Sequence, residues 1–297
     1  MPHILQNDDL SITIDLPHEG YKFSRFDWTG KIREVRYHDI SITTSELSLG
    51  QISSIHGAGL YNEFDIGGPQ GFASVPIGSH FNKIGIGSLL KTGENYDFLH
   101  AYEVTPSTFD YKLYKDKLII SCVTKEVAGV SYRLQKTIEL INNELRLTNE
   151  LHNRSSNTLS TIEYGHNFLA IDNQDMGSAY ELIFPFQIDI NQCEEIVNPD
   201  QAVVINEQGV SFNSPPTQPF FFSKLSASRS VPASWHLIHR PSGVNVTEMG
   251  SFNAHKINLW GTRHVISPEL FHRVDIAPGA QSHWTRTYRF WMSENEM

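Results

Sequence analysis

The stretch that most restricts the fold lies between residues 130 and 153. Leu134, Ile138 and Leu140 fall on one side of an extended chain, Asn142-Asn143 supplies a hairpin-like turn, and Leu145, Leu147 and Leu151 repeat with period two. Arg146, Thr148, Glu150 and His152 point the other way. Strict alternation of this kind belongs to a strand with one buried and one wet face, because a helix would need a period near 3.6 residues. Lys136 breaks the pattern by standing on the apolar side.

The same texture extends in both directions. Residues 95–151 read as an antiparallel meander, with Phe109 to Leu113, a charged turn at residues 115–117, and Leu118, Ile120 and Cys122 on one face. Residues 10–16 alternate as a half-buried strand, and residues 21–28 form a second, aromatic-rich alternation stopped by Thr29-Gly30. Two more short candidates occupy residues 31–49, separated by Asp39. Residues 57–93 are glycine-dense and poor in hydrophobic periodicity, which suits backbone passing close to a ligand or another loop. Residues 181–190 predict a strand interrupted by Pro185, residues 191–219 a loop with one alternation at 203–205, and residues 220–222 an aromatic core segment. Trp235, Leu237 and His239 mark another strand, residues 253–260 prepare the next, and Trp284, Tyr288, Phe290 and Met292 share one side of a closing strand. No repeat or dividing linker appears, so the expectation is an all-β protein, one sandwich domain over residues 1–297.

Composition removes several function classes. With 33 acidic and 23 basic residues the formal charge is −10, and no Lys/Arg cluster offers the surface that nucleic acid requires. No apolar run approaches membrane-spanning length, so the expectation is a soluble, cytoplasmic protein with no membrane partner. Cys122 and Cys193 are far apart and outside any metal or redox spacing, which predicts two buried thiols.

Among 14 histidines, His166 stands out. It follows the polar link 153–158, lies between Tyr164 and Asn167, and enters the apolar run 168–171 at an expected strand start; an imidazole there can exchange a proton near neutral pH. The leading carboxylate is Glu269, placed between apolar neighbours at a proline-constrained bend, with Glu63, Glu163, Asp65 and Asp172 in competition. No compact His/Cys or H-E-x-x-H spacing supports a metal site, since His236 and His239 would need a third ligand from elsewhere. The G-x-S-x-G signature of a serine hydrolase is absent, and the G-I-G of residues 85–87 lacks the third glycine of a dinucleotide fingerprint.

Taken together, R-F-D-W-T-G at 25–30, G-L-Y-N-E-F at 59–64, F-N-K-I-G-I-G at 81–87, L-T-N-E-L-H-N at 147–153, Y-G-H-N-F at 164–168, N-L-W-G at 258–261, S-P-E at 267–269 and W-T-R-T-Y-R-F at 284–290 resemble the galactose mutarotase-like superfamily, and within it the bacterial aldose 1-epimerase-like proteins. The resemblance implies a supersandwich of large, mostly antiparallel sheets with a carbohydrate pocket on a concave face. It also implies that a histidine gives a proton to the sugar ring oxygen while a glutamate takes one from the anomeric hydroxyl, roles that fall on His166 and Glu269. Asn82, Lys83, His100, Asn167, Trp260 and Arg263 complete the expected substrate-binding set. Lys83 stands where these enzymes carry an arginine, and a lysine lacks its two-pronged geometry. No cofactor and no metal are implied. The expected partner is a small-molecule carbohydrate, met by a monomer or homodimer. Two other functions are compatible with such a chain: carbohydrate binding without turnover, and lyase or hydrolase chemistry on an oligosaccharide.

Overall fold

The computed structural model describes residues 3–48, 50–51 and 53–293. Among these residues every strand pair is antiparallel, and two ten-stranded sheets dominate. The first runs His3–Gln6, Leu10–Asp15, Lys31–Tyr37, Leu60–Phe64, Leu159–Asn167, Val265–Ile276, Lys256–Thr262, Phe220–Phe222 and Ile196–Val197, with Ile40–Ser41 added beside Lys31–Tyr37. The second runs Val203–Ile205, Gly209–Phe212, Tyr180–Ile183, Val231–His239, Val244–Ala254, Gln281–Met292, Glu144–Asn153, Tyr132–Ile141, Lys117–Val123 and Thr108–Leu113. A small third sheet is built from His80–Lys83, Gly87–Leu90 and Val104–Pro106. No helix among the described residues is long and apolar enough to cross a membrane.

The leading hairpin forms in the register expected, from Tyr132↔Asn153 to Ile141↔Glu144, and Leu134, Ile138, Leu140, Leu145, Leu147 and Leu151 are buried. Lys136 is buried on that same face for a specific reason. Its ammonium lies 2.5 Å from Asp27 Oδ2 and donates to Asn62 Oδ1 at 3.0 Å, so a buried carboxylate distant in sequence compensates the charge. From there a polar chain crosses the sandwich interior. Asn62 donates to Glu163 (2.7 Å), Arg286 bridges Glu163 (2.8 Å) and Glu248 (2.5 Å), and Glu248 receives the amide of Asn167 (2.9 Å) and the indole of Trp235 (2.8 Å).

Several local expectations change. Residues 21–28 form no strand: Tyr21, Phe26 and Trp28 turn into a second aromatic cluster, and the backbone of Asp27 and Trp28 bonds to Asn62 and Gly85 instead of to a ladder. Gly85 permits this approach, since it has φ +79° and a Cβ there would lie 2.1 Å from Asp27 Oδ1. The glycine-dense segment contains the strand Leu60–Phe64, which is buried along its whole length and therefore shows no alternation. The second candidate in 31–49 reduces to Ile40–Ser41, residue 49 lying outside the described residues. The strand before Pro185 ends at Ile183, and three short strands occupy parts of 191–219. In the aromatic run, Phe220 and Phe222 are buried while Phe221 faces the other way. The closing strand buries Trp284, Arg286, Tyr288 and Phe290 but leaves Met292 exposed. Cys122 is buried and Cys193 only partly so, both as free thiols.

Candidate active site

Strand alternation places the site. In Leu159–Asn167, Tyr164 and His166 lie on one face, while Glu163 and Asn167 turn to the sandwich interior. His166 is thus the penultimate residue of its strand, not the start of one. Glu269 likewise sits well inside Val265–Ile276 and not at a bend. The two strands pair at Tyr164↔Phe271 and again at Leu169↔Ile266, a constant register that sets His166 opposite Glu269. Between those points Pro268 has no N–H to give, and the side-chain amide of Asn167 donates to the Pro268 carbonyl at 3.2 Å. The neighbouring strand pairs Asn258 with Glu269 and Trp260 with Ser267.

His166 Nε2 and Glu269 Oε1 are 3.6 Å apart, with the two side chains 4% and 7% exposed. They border a cavity of about 380 Å³, also lined by Arg25, Glu46, His56, Ile66, Phe98, Leu99, Tyr164, Phe221, Asn258 and Trp260. That size lies within the usual range for small-molecule sites. A larger recess of about 630 Å³ runs along residues 187–192, 205–207 and 229, but it contains none of the buried titratable groups of this site. Phe168 stacks on the His166 ring at 4.5 Å, and Trp260 and Phe26 meet it edge-on at 5.5 and 5.9 Å. This apolar collar, followed by the charge of Arg25, holds the His166 pKa well below the usual histidine value. Burial pushes the Glu269 carboxyl up to about 8, with Arg25 and a long 3.4 Å contact from Asn258 opposing the shift only in part. On the far side of the imidazole, Nδ1 shares a 2.8 Å hydrogen bond with Ser267 Oγ.

Arg25 is a cavity residue that sequence reasoning did not single out, although it opens the R-F-D-W-T-G segment. Its Nε donates to Glu63 (3.1 Å) and its Nη1 to Glu46 (3.0 Å), while the guanidinium carbon lies 4.4 and 4.8 Å from the ring centroids of Phe26 and Phe98. The Tyr164 hydroxyl donates to the same Glu63 carboxylate at 2.6 Å. These partners are 21 and 38 residues from Arg25 in sequence, which is why spacing could not reveal them. Asn258 and Ser267 were visible only as members of the N-L-W-G and S-P-E segments.

Of the residues expected to bind substrate, Trp260 lies in the cavity wall, with Phe221 opposite it in register. The rest are engaged elsewhere. Asn82 donates to the backbone carbonyls of Lys125 and Val130, and Asn167 is held by Glu248, Tyr288 and Pro268 on the interior face. Lys83 is fully buried against Glu63 (3.5 Å) and the Tyr96 hydroxyl (2.6 Å), behind the cavity lining. His100 is exposed and bonded to Thr92, although its chain neighbours Phe98 and Leu99 line the cavity. Arg263 is exposed and paired with Asp175 at 2.6 Å. His236 and His239 bond to Asn245 and Ser242 respectively, and no three His, Cys, Asp or Glu side chains among the described residues are grouped to hold a metal ion.

No protein-family model matches the chain, and no curated protein matches it by sequence. Solved structures do. A galactose mutarotase related enzyme from Lactobacillus acidophilus superposes with a TM-score of 0.61 at 12% identity, covering 100% of this chain and 99% of that one. A galactose mutarotase-like protein from Lactobacillus casei gives 0.60 at 11% identity over 98% and 100% of the two chains. An aldose epimerase homologue from C. elegans gives 0.54 at 10% identity over 99% and 100%. Identities this low speak for architecture alone. The chain therefore has the galactose mutarotase-like supersandwich fold, all-β and antiparallel.

Proposed function

We propose that this protein interconverts the α and β anomers of a reducing sugar by acid–base ring opening and closure. The observation that carries the reading is the convergence of His166 Nε2 and Glu269 Oε1, 3.6 Å apart, on one cavity. Anomer exchange needs one group to give a proton to the ring oxygen and another to remove one from the anomeric hydroxyl. Both oxygens are bonded to C1, so donor and acceptor have to stand close together. A buried pair with opposed pKa shifts meets that requirement, and positioned groups of this type contribute about 10²–10⁴-fold. Trp260, Phe221 and Phe98 offer apolar surface to the faces of a sugar, and Asn258 and Arg25 offer hydrogen-bond donors.

Arg25 and Lys83, the cations at and behind the cavity wall, are already compensated. Arg25 bonds to Glu46 and Glu63, and Lys83 has Glu63 as its counter-ion. This favours an uncharged sugar over a phosphorylated one. The test is anomer exchange on a panel of freshly dissolved aldoses, followed by polarimetry or NMR for the wild type, Glu269→Gln and His166→Ala. Exchange above background that both substitutions abolish supports the reading. Sugar binding with no acceleration on any aldose favours a binding protein instead.

A further inference from the structure

We infer that the free edge of the second large sheet, the strand Thr108–Leu113, is a docking surface for a second copy of this chain, which pairs with it antiparallel about a two-fold axis at Tyr111. Nothing in this pairing depends on anomer exchange.

Thr108–Leu113 ends its sheet and pairs with Lys117–Val123 on one side only. Among the described residues the strands that end the two large sheets are His3–Gln6, Ile196–Val197, Val203–Ile205 and this one, which at six residues is the longest. It alone of the four contains both an acidic and a basic side chain, Asp110 and Lys112. Edge strands that avoid association are short, bulged or broken by proline. This one has an unbroken register and no proline. Tyr111 and Leu113 are 47% and 42% exposed, although the residues directly across the ladder, Ile120 and Leu118, are fully buried. The core-side face of the sheet thus continues into solvent at its last strand, where Phe109, stacked on Trp28 at 6.3 Å, anchors it.

The hairpin at residues 114–117 sets which backbone groups are free. The Tyr114 N–H donates to the Lys117 carbonyl at 2.7 Å, and an antiparallel ladder alternates hydrogen-bonded with non-hydrogen-bonded pairs. Counting back along the register, Lys112, Asp110 and Thr108 turn their backbone groups toward Lys117–Val123, while Phe109, Tyr111 and Leu113 turn theirs outward. A two-fold axis at Tyr111 sets Phe109 against the partner's Leu113, Tyr111 against the partner's Tyr111, and Leu113 against the partner's Phe109. Every outward N–H and C=O of the three residues then has a hydrogen-bonding partner, and the exposed Tyr111 and Leu113 side chains meet apolar neighbours.

Charge identifies the occupant and fixes the register. Between those pairs, Asp110 faces the partner's Lys112 and Lys112 faces the partner's Asp110. These are non-hydrogen-bonded pairs, the kind in which opposed side chains come closest. Neither Asp110 nor Lys112 has an ion pair or side-chain hydrogen bond among the described residues, so both are free to pair across the axis. Sliding the copies by one step moves the axis to Asp110 or to Lys112 and sets like charges against each other, which is unfavourable. The strand is therefore complementary to itself in one register.

The experiment is sedimentation velocity of the full-length chain over a range of concentrations, for wild type, Asp110→Lys, Lys112→Asp, an equimolar mixture of the two variants, and the chain carrying both substitutions. Both positions are exposed, and circular dichroism verifies the fold. The expected result is a concentration-dependent dimer for the wild type. Each single variant should dimerise roughly tenfold more weakly, since two cross-strand pairs turn from attractive to repulsive. Mixing the variants, or combining the substitutions in one chain, should restore the wild-type affinity, because opposite charges face each other again. Tyr111→Pro removes an outward N–H, which an edge strand tolerates, and should leave the chain monomeric. A wild type that stays monomeric at every concentration would overturn the proposal. So would a dimer that the single variants leave unchanged, or one that the mixture fails to restore. If a charge variant does not fold, a dimer that survives Tyr111→Pro overturns it equally.

Discussion

The side-chain amide of Asn167 donates to the carbonyl of Pro268, one residue along from His166 on one strand and from Glu269 on the other. Proline removes a backbone donor from the middle of a sheet. Here an asparagine from the opposite strand engages the proline carbonyl and ties the two strands at the level of His166 and Glu269. The same amide reaches Glu248 at 2.9 Å, and the Tyr288 hydroxyl donates to its oxygen at 2.9 Å, so the tie is anchored in the core. Asn167→Ala is expected to destabilise the fold by about 1–3 kcal/mol, because buried partners lose their bonds. It should also lower kcat more than it raises KM. Thermal unfolding and steady-state kinetics check the two effects separately, and a change confined to KM would count against a positioning role.

Burial of Glu269 sets the pH dependence. With its pKa near 8, the pair loses the one proton that anomer exchange needs as pH rises, so kcat/KM should fall about tenfold per pH unit above that point. His166, held below its usual value, should leave the rate flat on the acid side until well under the ordinary histidine range.

The same shift has a stability consequence of opposite sense to a salt-bridged carboxylate. A folded pKa raised above the ordinary value of about 4.3 leaves stability intact at low pH. Stability then declines as pH rises toward about 8 and levels off beyond. Glu269→Gln is therefore expected to be more stable than wild type above pH 8, by on the order of 5 kcal/mol, with the difference shrinking toward acid pH. Denaturant unfolding at several pH values measures this, and a pH-independent difference would mean that the carboxyl is not buried in its neutral form.

Arg286 is fully buried between Glu163 and Glu248. Arg286→Met leaves two carboxylates facing each other without a cation and should cost about 3–5 kcal/mol in unfolding free energy. A loss below 1 kcal/mol would show that water reaches these groups.

Trp260 is only partly buried and stands edge-on to His166 in the cavity wall. Trp260→Ala is expected to raise KM up to about tenfold, in line with the loss of one aromatic contact, with a smaller effect on kcat. Isothermal titration with a bound sugar supplies the independent check.

Much of the scaffold was legible because strands with one buried face reveal themselves by alternation. Tyr132–Ile141 and Glu144–Asn153 are the clearest examples, down to Lys136 as the exception that proves to have a buried partner in Asp27. Leu60–Phe64 was not legible, since a strand buried on both faces and carrying Asn62 and Glu63 shows neither alternation nor an apolar run. Residues 21–28 misled for the converse reason: their aromatics alternate, but each is directed by a tertiary contact and not by a ladder. His166 and Glu269 could be named from their motifs, whereas their register could not. Arg25 escaped notice because its meaning comes from Glu46 and Glu63, brought to it only by folding. Asn82 and Asn167 show the limit of motif transfer, since both amides are committed to holding backbone and core.

The most direct test of the central claim is the rate at which freshly dissolved α-aldoses approach anomeric equilibrium in the presence of wild type, Glu269→Gln and His166→Ala, each verified as folded. The expected result is acceleration by the wild type and a loss of at least about 10²-fold in either variant. Acceleration that survives both substitutions would contradict the assignment of the pair, and no acceleration of any aldose by the wild type would contradict the function.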